Sequence, residues 1–218
     1  MRNKRTILFD LDGTLIDPKE GITKSAQFAL QQMGIVVEDL DNLQSFIGPP
    51  LQTSFKERFQ FSDEEVQEAI AFYRERYKPI GIYENKVYEG IIPLLEQLKT
   101  EGYQLAIATS KATVFAKEIA KHYEFEQYFD CIMGSELDGR RILKAEVIEE
   151  VLRQLHITDV SHCIMVGDRM YDIIGANTNK MDSIGVLFGY GEESELNQAG
   201  ASYIVKSVEE LGSLLRRL

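Results

Sequence analysis

Six short apolar runs, each bounded by Asp, Gly or Ser, constrain this chain more than any other feature of it. They are Thr6-Ile-Leu-Phe9, Leu105-Ala-Ile-Ala108, Cys131-Ile-Met133, Cys163-Ile-Met-Val166, Ile184-Gly-Val-Leu187 and Tyr203-Ile-Val205. None alternates apolar with polar, so each reads as a strand covered on both faces, the pattern of a parallel sheet between two layers of helix. Helical segments lie between them. Val147, Ile148, Val151, Leu152 and Leu155 recur at helix spacing, Glu101-Gly102 stops a helix, and Ser207-x-x-Glu210 is a capping box opening the last one. Strand–helix alternation from Ile91 onward predicts a doubly wound, mostly parallel α/β sheet.

Residues 17–84 break that rhythm. They hold no convincing buried strand and read as several helices. Ser62-x-x-Glu65 caps one whose face carries Val66, Ala69, Ile70, Tyr73 and Tyr77, and Gly48-Pro-Pro50 separates two others. The expected organisation is an α/β core of residues 1–16 and 85–218, with a small all-helical cap, residues 17–84, inserted after the first strand.

Charge narrows the partners. With 24 Lys and Arg against 35 Asp and Glu, the net charge is −11, and no basic stripe relieves it. Nucleic-acid polymers and anionic membranes, which bind through clustered cations, are excluded as expected partners. A phosphorylated small molecule remains possible if cations are supplied locally. Met1–Arg5 is basic, but the apolar run after it lasts only Ile7-Leu-Phe9, too short for a signal-peptide core, and no stretch approaches a membrane span. Cys131 and Cys163 lack metal or redox spacing and read as reduced core thiols. A cytoplasmic protein, monomeric or homodimeric, is expected.

In an open α/β sheet, ligands bind beyond the carboxyl ends of the strands. There the first run delivers Asp10-Leu-Asp12-Gly-Thr14, the second Thr109-Ser110, and the fourth Gly167-Asp168, with Asp172 one turn into the following helix; Lys144 opens another. Asp10, Asp12, Asp168 and Asp172 are thus expected to converge. Two such charges ~4 Å apart repel by roughly 4 kcal/mol at an effective dielectric of ~20, while a helix N-terminus returns only about 0.3–1 kcal/mol. One lysine is not enough. A hard divalent cation with oxygen ligands resolves the conflict, and Mg²⁺ is the usual one beside a phosphate.

Phe9-Asp10-Leu-Asp12-Gly-Thr14 resembles the first motif of the haloacid dehalogenase superfamily, and Thr109, Lys144 and Gly167-Asp168-x-x-x-Asp172 resemble its other three, in order. The resemblance spans nearly the whole chain, and the helical insert is similar to the superfamily's small type of cap. It implies Asp10 as a nucleophile forming an aspartyl-phosphate and Asp12 as the acid and then the base. Thr109 and Lys144 would hold the phosphoryl oxygens, with Ser110 able to replace Thr109, and Mg²⁺ would sit on Asp10, the carbonyl of Asp12, and Asp168, with Asp172 as ligand or anchor. Ala145 follows the lysine where many relatives have proline, and Arg140 or Arg141 could share its role.

Asp12 argues against the superfamily's dehalogenases and phosphonate hydrolases. Phosphatase is the favoured activity, with a phosphomutase as the alternative. A phosphoacceptor signalling domain, a rival of another class, would be shorter and capless. Ala108-Thr-Ser-Lys111 resembles the phosphoglycolate phosphatases. Phe46-Ile-Gly-Pro-Pro-Leu51 and Gly167-Asp-Arg-Met-Tyr-Asp172 are closer to bacterial 5′-nucleotidases. Phe46, Lys24, Arg58 and Lys111 are the candidates for substrate contacts. Gly189-Tyr-Gly191 sits in a late loop, away from the first strand where a dinucleotide fingerprint would stand.

Overall fold

The computed structural model describes residues 4–218; Met1, Arg2 and Asn3, part of the basic start, lie outside them. The chain enters through β1 (Thr6–Phe9) and β2 (Ile16–Asp17). It then forms α1 (Lys19–Gln32), a 3-10 segment Leu40–Phe46, α2 (Leu51–Phe59) and α3 (Asp63–Tyr77). It returns through β3 (Lys86–Val87), which pairs with β2. The remainder alternates: α4 (Ile91–Thr100), β4 (Gln104–Ala112), α5 (Thr113–His122), β5 (Cys131–Ser135), α6 (Lys144–Gln154), β6 (Cys163–Gly167), α7 (Met170–Thr178), β7 (Asp182–Val186), α8 (Glu193–Gln198), β8 (Tyr203–Val205) and α9 (Val208–Leu215).

Six strands form one sheet in the order β5-β4-β1-β6-β7-β8, and every neighbouring pair is parallel. The doubly wound α/β class expected from the apolar runs is the one observed. β1 lies centrally, paired with β4 through Phe9 opposite Ile107 and with β6 through Phe9 opposite Val166. The winding direction reverses between β1 and β6, so their carboxyl ends border the crevice where such sheets bind ligands. All four residues of β1 and all five of β6 are buried. Leu8, Ala106 and Met165 pack from one sheet face against Val147, Ile148 and Val151 of α6.

Contacts divide the chain into two compact units, residues 1–17 with 87–218, and residues 18–86. The second is helical. Ser62 accepts from the Glu65 amide while the Glu65 carboxylate accepts from the Ser62 amide, closing the capping box that starts α3. Val66, Ala69, Ile70, Tyr73 and Tyr77 are the buried positions of that helix. Phe46 packs edge-on against Phe55 with ring centroids 4.9 Å apart, beside Phe59, and is only 2% exposed. It is a core residue of this unit, packed into the apolar interior between the helices.

β4 departs from expectation. The apolar run ends at Ala108, but the strand continues to Ala112. Its register against β5 jumps from Ala108 opposite Met133 to Ala112 opposite Ser135. Thr109-Ser110-Lys111 therefore swells out opposite Gly134 alone, a bulge that re-aims side chains. A side chain on Gly134 would meet the Lys111 carbonyl oxygen at 2.0 Å.

Candidate active site

Strand ends place the site residues. Asp10 follows β1 and its amide donates to the Val166 carbonyl of β6 at 2.8 Å. Asp168 follows β6, Asp172 lies in the first turn of α7, and Lys144 is the first residue of α6. Carboxylate oxygens of Asp10, Asp168 and Asp172 all lie within 4.8 Å of one another. The three residues are 3%, 0% and 1% exposed.

Lys144 binds this cluster from one side. Its Nζ donates to Asp10 Oδ1 at 2.8 Å and to the Ala108 carbonyl at 3.0 Å, and it stands 2.7 Å from Asp172 Oδ1. That last approach is a buried ion pair, so the one ammonium is shared between Asp10 and Asp172. Asp172 Oδ2 accepts from the Arg169 amide at 3.1 Å. Asp168 Oδ2 accepts from the Tyr190 amide at 2.8 Å, and its Oδ1 accepts from Thr14 Oγ1 at 3.5 Å. Backbone must come very close here. Gly13, at φ +83°, would put a Cβ 2.2 Å from Asp168 Oδ2, and one on Gly167 would lie 2.2 Å from the Asp172 carboxyl carbon.

The electrostatics follow from burial. Burial pushes the Asp168 carboxyl well above its ordinary range, and Asp172 and Asp10 push it further. Asp172 is raised to about 6, by burial first and then by Asp10, with Lys144 pulling the other way. Burial alone would lower the Lys144 ammonium, but Asp10 and Asp172 outweigh it and hold the lysine charged. One ammonium against three buried carboxylates leaves negative charge unmatched. An all-oxygen donor set of three buried carboxylates sharing one ammonium fits a hard divalent cation, and Mg²⁺ in particular where a substrate phosphate adds oxygens.

Asp12 stands apart from that triad. Where the sequence suggested four carboxylates around one point, three gather, and Asp12 Oδ2 instead pairs with Lys111 Nζ at 2.9 Å. The bulge in β4 carries Lys111 there, so this lysine holds the second aspartate. Burial raises the Asp12 carboxyl, Lys111 opposes that, and Asp10 adds to it. Asp12 Oδ1 is buried with no hydrogen-bond partner among the described residues.

Thr109 is 1% exposed at the end of the regular part of β4, and its Oγ1 accepts from the Lys111 amide at 3.2 Å. Ser110 is half-buried and its carbonyl accepts from Ser135 Oγ. Arg140 pairs with Asp138 and Arg141 with Glu136, while Lys144 itself reaches Asp10. In the helical unit Lys24 pairs with Glu20 and Glu84, and Arg58 with Ser45. Tyr190 and Asp17, which hydrogen-bond each other, were not singled out by the sequence. No local pattern joins residues 173 positions apart.

A family model described as haloacid dehalogenase-like hydrolase matches residues 7–186. The chain belongs to the haloacid dehalogenase-like hydrolases. Among relatives of this hydrolase, a protein of Pseudomonas aeruginosa named 5′-nucleotidase is 50% identical over 190 residues, covering 87% of this chain and 86% of that protein. One of Mycobacterium tuberculosis named tyrosine-protein kinase PtkA is 36% identical over 211 residues, covering 96% of this chain and 72% of its own length. A crystal structure from Clostridium acetobutylicum, described as a predicted phosphatase, superposes with a TM-score of 0.96 at 49% identity, covering 99% of each chain.

Proposed function

We propose that this hydrolase cleaves small phosphate monoesters, with Asp10 as the nucleophile. The observation that carries the reading is the pair of neighbouring aspartates held by two different lysines. Lys144 donates to Asp10 and fixes its carboxylate, whereas Asp12 pairs with Lys111 in a site whose burial favours its proton. Two carboxylates with opposed environments are what nucleophile and general acid require.

In the first step an Asp10 carboxylate oxygen bonds to phosphorus as the bond to the leaving oxygen breaks, and the proton on Asp12 goes to that oxygen. In the second, Asp12, now ionised, takes a proton from a water whose oxygen attacks phosphorus, and Asp10 is freed. Lys144 and Thr109, with Ser110 able to replace Thr109, would hold the phosphoryl oxygens. Asp10, Asp168 and Asp172, with the Asp12 carbonyl, would hold Mg²⁺. Bound there, it would neutralise both the carboxylates and the phosphoryl charge.

Nucleoside 5′-monophosphates are the substrate class best supported, through the 50% identity to the Pseudomonas protein; phosphoglycolate-like esters are the second class implied by the motif resemblance. The helical unit, residues 18–86, is the natural carrier of that choice. A panel of nucleoside monophosphates, phosphoglycolate and sugar phosphates, ranked by kcat/KM with Mg²⁺, tests the reading. Asp10→Asn is expected to lose at least 10³-fold in turnover while melting like the wild type; a variant keeping a tenth of the activity defeats the nucleophile assignment. The kinase relative supplies a competing reading. Phosphotyrosine formed from ATP, without phosphate release from any ester, would replace the phosphatase assignment; isomerisation of a sugar phosphate would favour a mutase.

A further inference from the structure

We propose that Tyr190 is a positioning residue for Asp168, acting through a clasp that the Phe188–Gly191 loop closes on the two strands leading out to and back from the helical insertion. The inference rests on the metal site described above and goes beyond it.

Tyr190 makes two bonds in opposite directions. Its amide donates to Asp168 Oδ2 at 2.8 Å, and its phenol donates to Asp17 Oδ1 at the end of β2. Two residues away, Phe188 packs edge-on against Tyr88, with centroids 5.4 Å apart. Tyr88 directly follows β3, and its amide donates to the Leu15 carbonyl at 3.1 Å. One loop thus grips both linker strands at residues of the α/β unit. Glycines on either side let it sit this close: a Cβ at Gly189 would lie 2.3 Å from the Gly13 carbonyl oxygen, and one at Gly191 would lie 1.8 Å from the Asp168 carbonyl oxygen. With no room for side chains at the glycines, the loop's side-chain anchors are its two aromatics, Phe188 and Tyr190.

The consequence falls on Asp168. An amide held at Oδ2 sets the rotation of the carboxylate, whose other oxygen, Oδ1, makes only a long contact with Thr14. Burial and Asp17 raise the Tyr190 phenol far above neutrality, so it stays a donor at any working pH. Losing the phenol would let the loop amide drift and loosen a metal ligand that the tyrosine side chain never touches.

The test is a Mg²⁺ titration of the intact protein without substrate, read as the shift in melting temperature. Tyr190→Phe keeps the ring and removes the hydroxyl. Its apo melting temperature should stay within about 2 °C of the wild type, while the Mg²⁺ concentration giving half the shift rises about 5- to 20-fold, somewhat below the effect typical of groups bonded directly to a ligand. Asp17→Asn, which still offers an acceptor oxygen, should titrate like the wild type. Asp17→Ala should match Tyr190→Phe, and the double variant should be no worse than either. An unchanged midpoint in Tyr190→Phe, or a loss of apo stability with no change in midpoint, overturns the positioning role. A wild type that shows no response to Mg²⁺ brings down the metal reading with it, so the two failures are told apart.

Discussion

Replacing Lys144 with Met keeps most of the buried stem and removes the charge between Asp10 and Asp172. Contacts of 2.8 and 2.7 Å correspond to about 6 kcal/mol each at an effective dielectric of ~20. Most of that is offset by the desolvation of an ammonium that is almost wholly buried. What remains is the penalty of leaving two buried carboxylates unpaired, about 3–5 kcal/mol. For a chain of this size that lowers the melting temperature in EDTA by about 6–20 °C. The deficit should depend on pH. Asp172, already up at about 6, rises further without the ammonium that pulls it down. A carboxyl raised in the folded state stabilises the fold at low pH, and that contribution is lost as pH climbs through the folded value. The gap between variant and wild type is therefore widest near pH 8 and narrow by pH 5. Differential scanning calorimetry across that range in EDTA decides the matter. A melting temperature within 2 °C of the wild type at pH 8, or a gap constant with pH, refutes the coupling of these three residues.

Other substitutions probe the rest of the site. Gly13→Ala places a methyl on the Asp168 carboxylate at a positive φ, where the backbone alone costs about 1–2 kcal/mol; it should cut kcat at least tenfold and lower the melting temperature, and wild-type kcat would contradict the packing described. Lys111→Met removes the cation that holds the Asp12 carboxyl down. That carboxyl then keeps its proton to higher pH, so the whole pH–rate profile should move upward; an unmoved profile separates Lys111 from the acid–base step.

The α/β architecture was legible because strands buried on both faces must be written in continuous apolar residues, as Ile7-Leu-Phe9 and Cys163-Ile-Met-Val166 are. The places of Asp10, Lys144, Asp168 and Asp172 were legible for a related reason: each stands at a strand end or in a helix's first turn, positions whose location in an open sheet is set by topology. Polar strand residues were not. Thr109-Ser-Lys111 look like a loop because the bulge opposite Gly134 pairs them outside the apolar code. The Asp12–Lys111 pair follows from that bulge and was hidden with it. The packing of Phe46 on Phe55 was not legible, because an aromatic beside a Gly-Pro-Pro break reads the same whether it faces a ligand or a neighbouring ring. The Tyr190–Asp17 bond joins opposite ends of the chain through side chains common in any loop.

Among the described residues no helix is long and apolar enough to cross a membrane. That agrees with the short apolar runs that define the sheet.

The account rests on Asp10 bonding to phosphorus. Acid quenching during steady turnover, followed by tryptic mass spectrometry, measures this directly, since Arg5 and Lys19 bracket a peptide of residues 6–19. The expected result is one phosphoryl mass on that peptide, fragmenting to Asp10 and missing from Asp10→Asn. Turnover with this peptide unmodified, or with the phosphoryl group on Asp12, would contradict it.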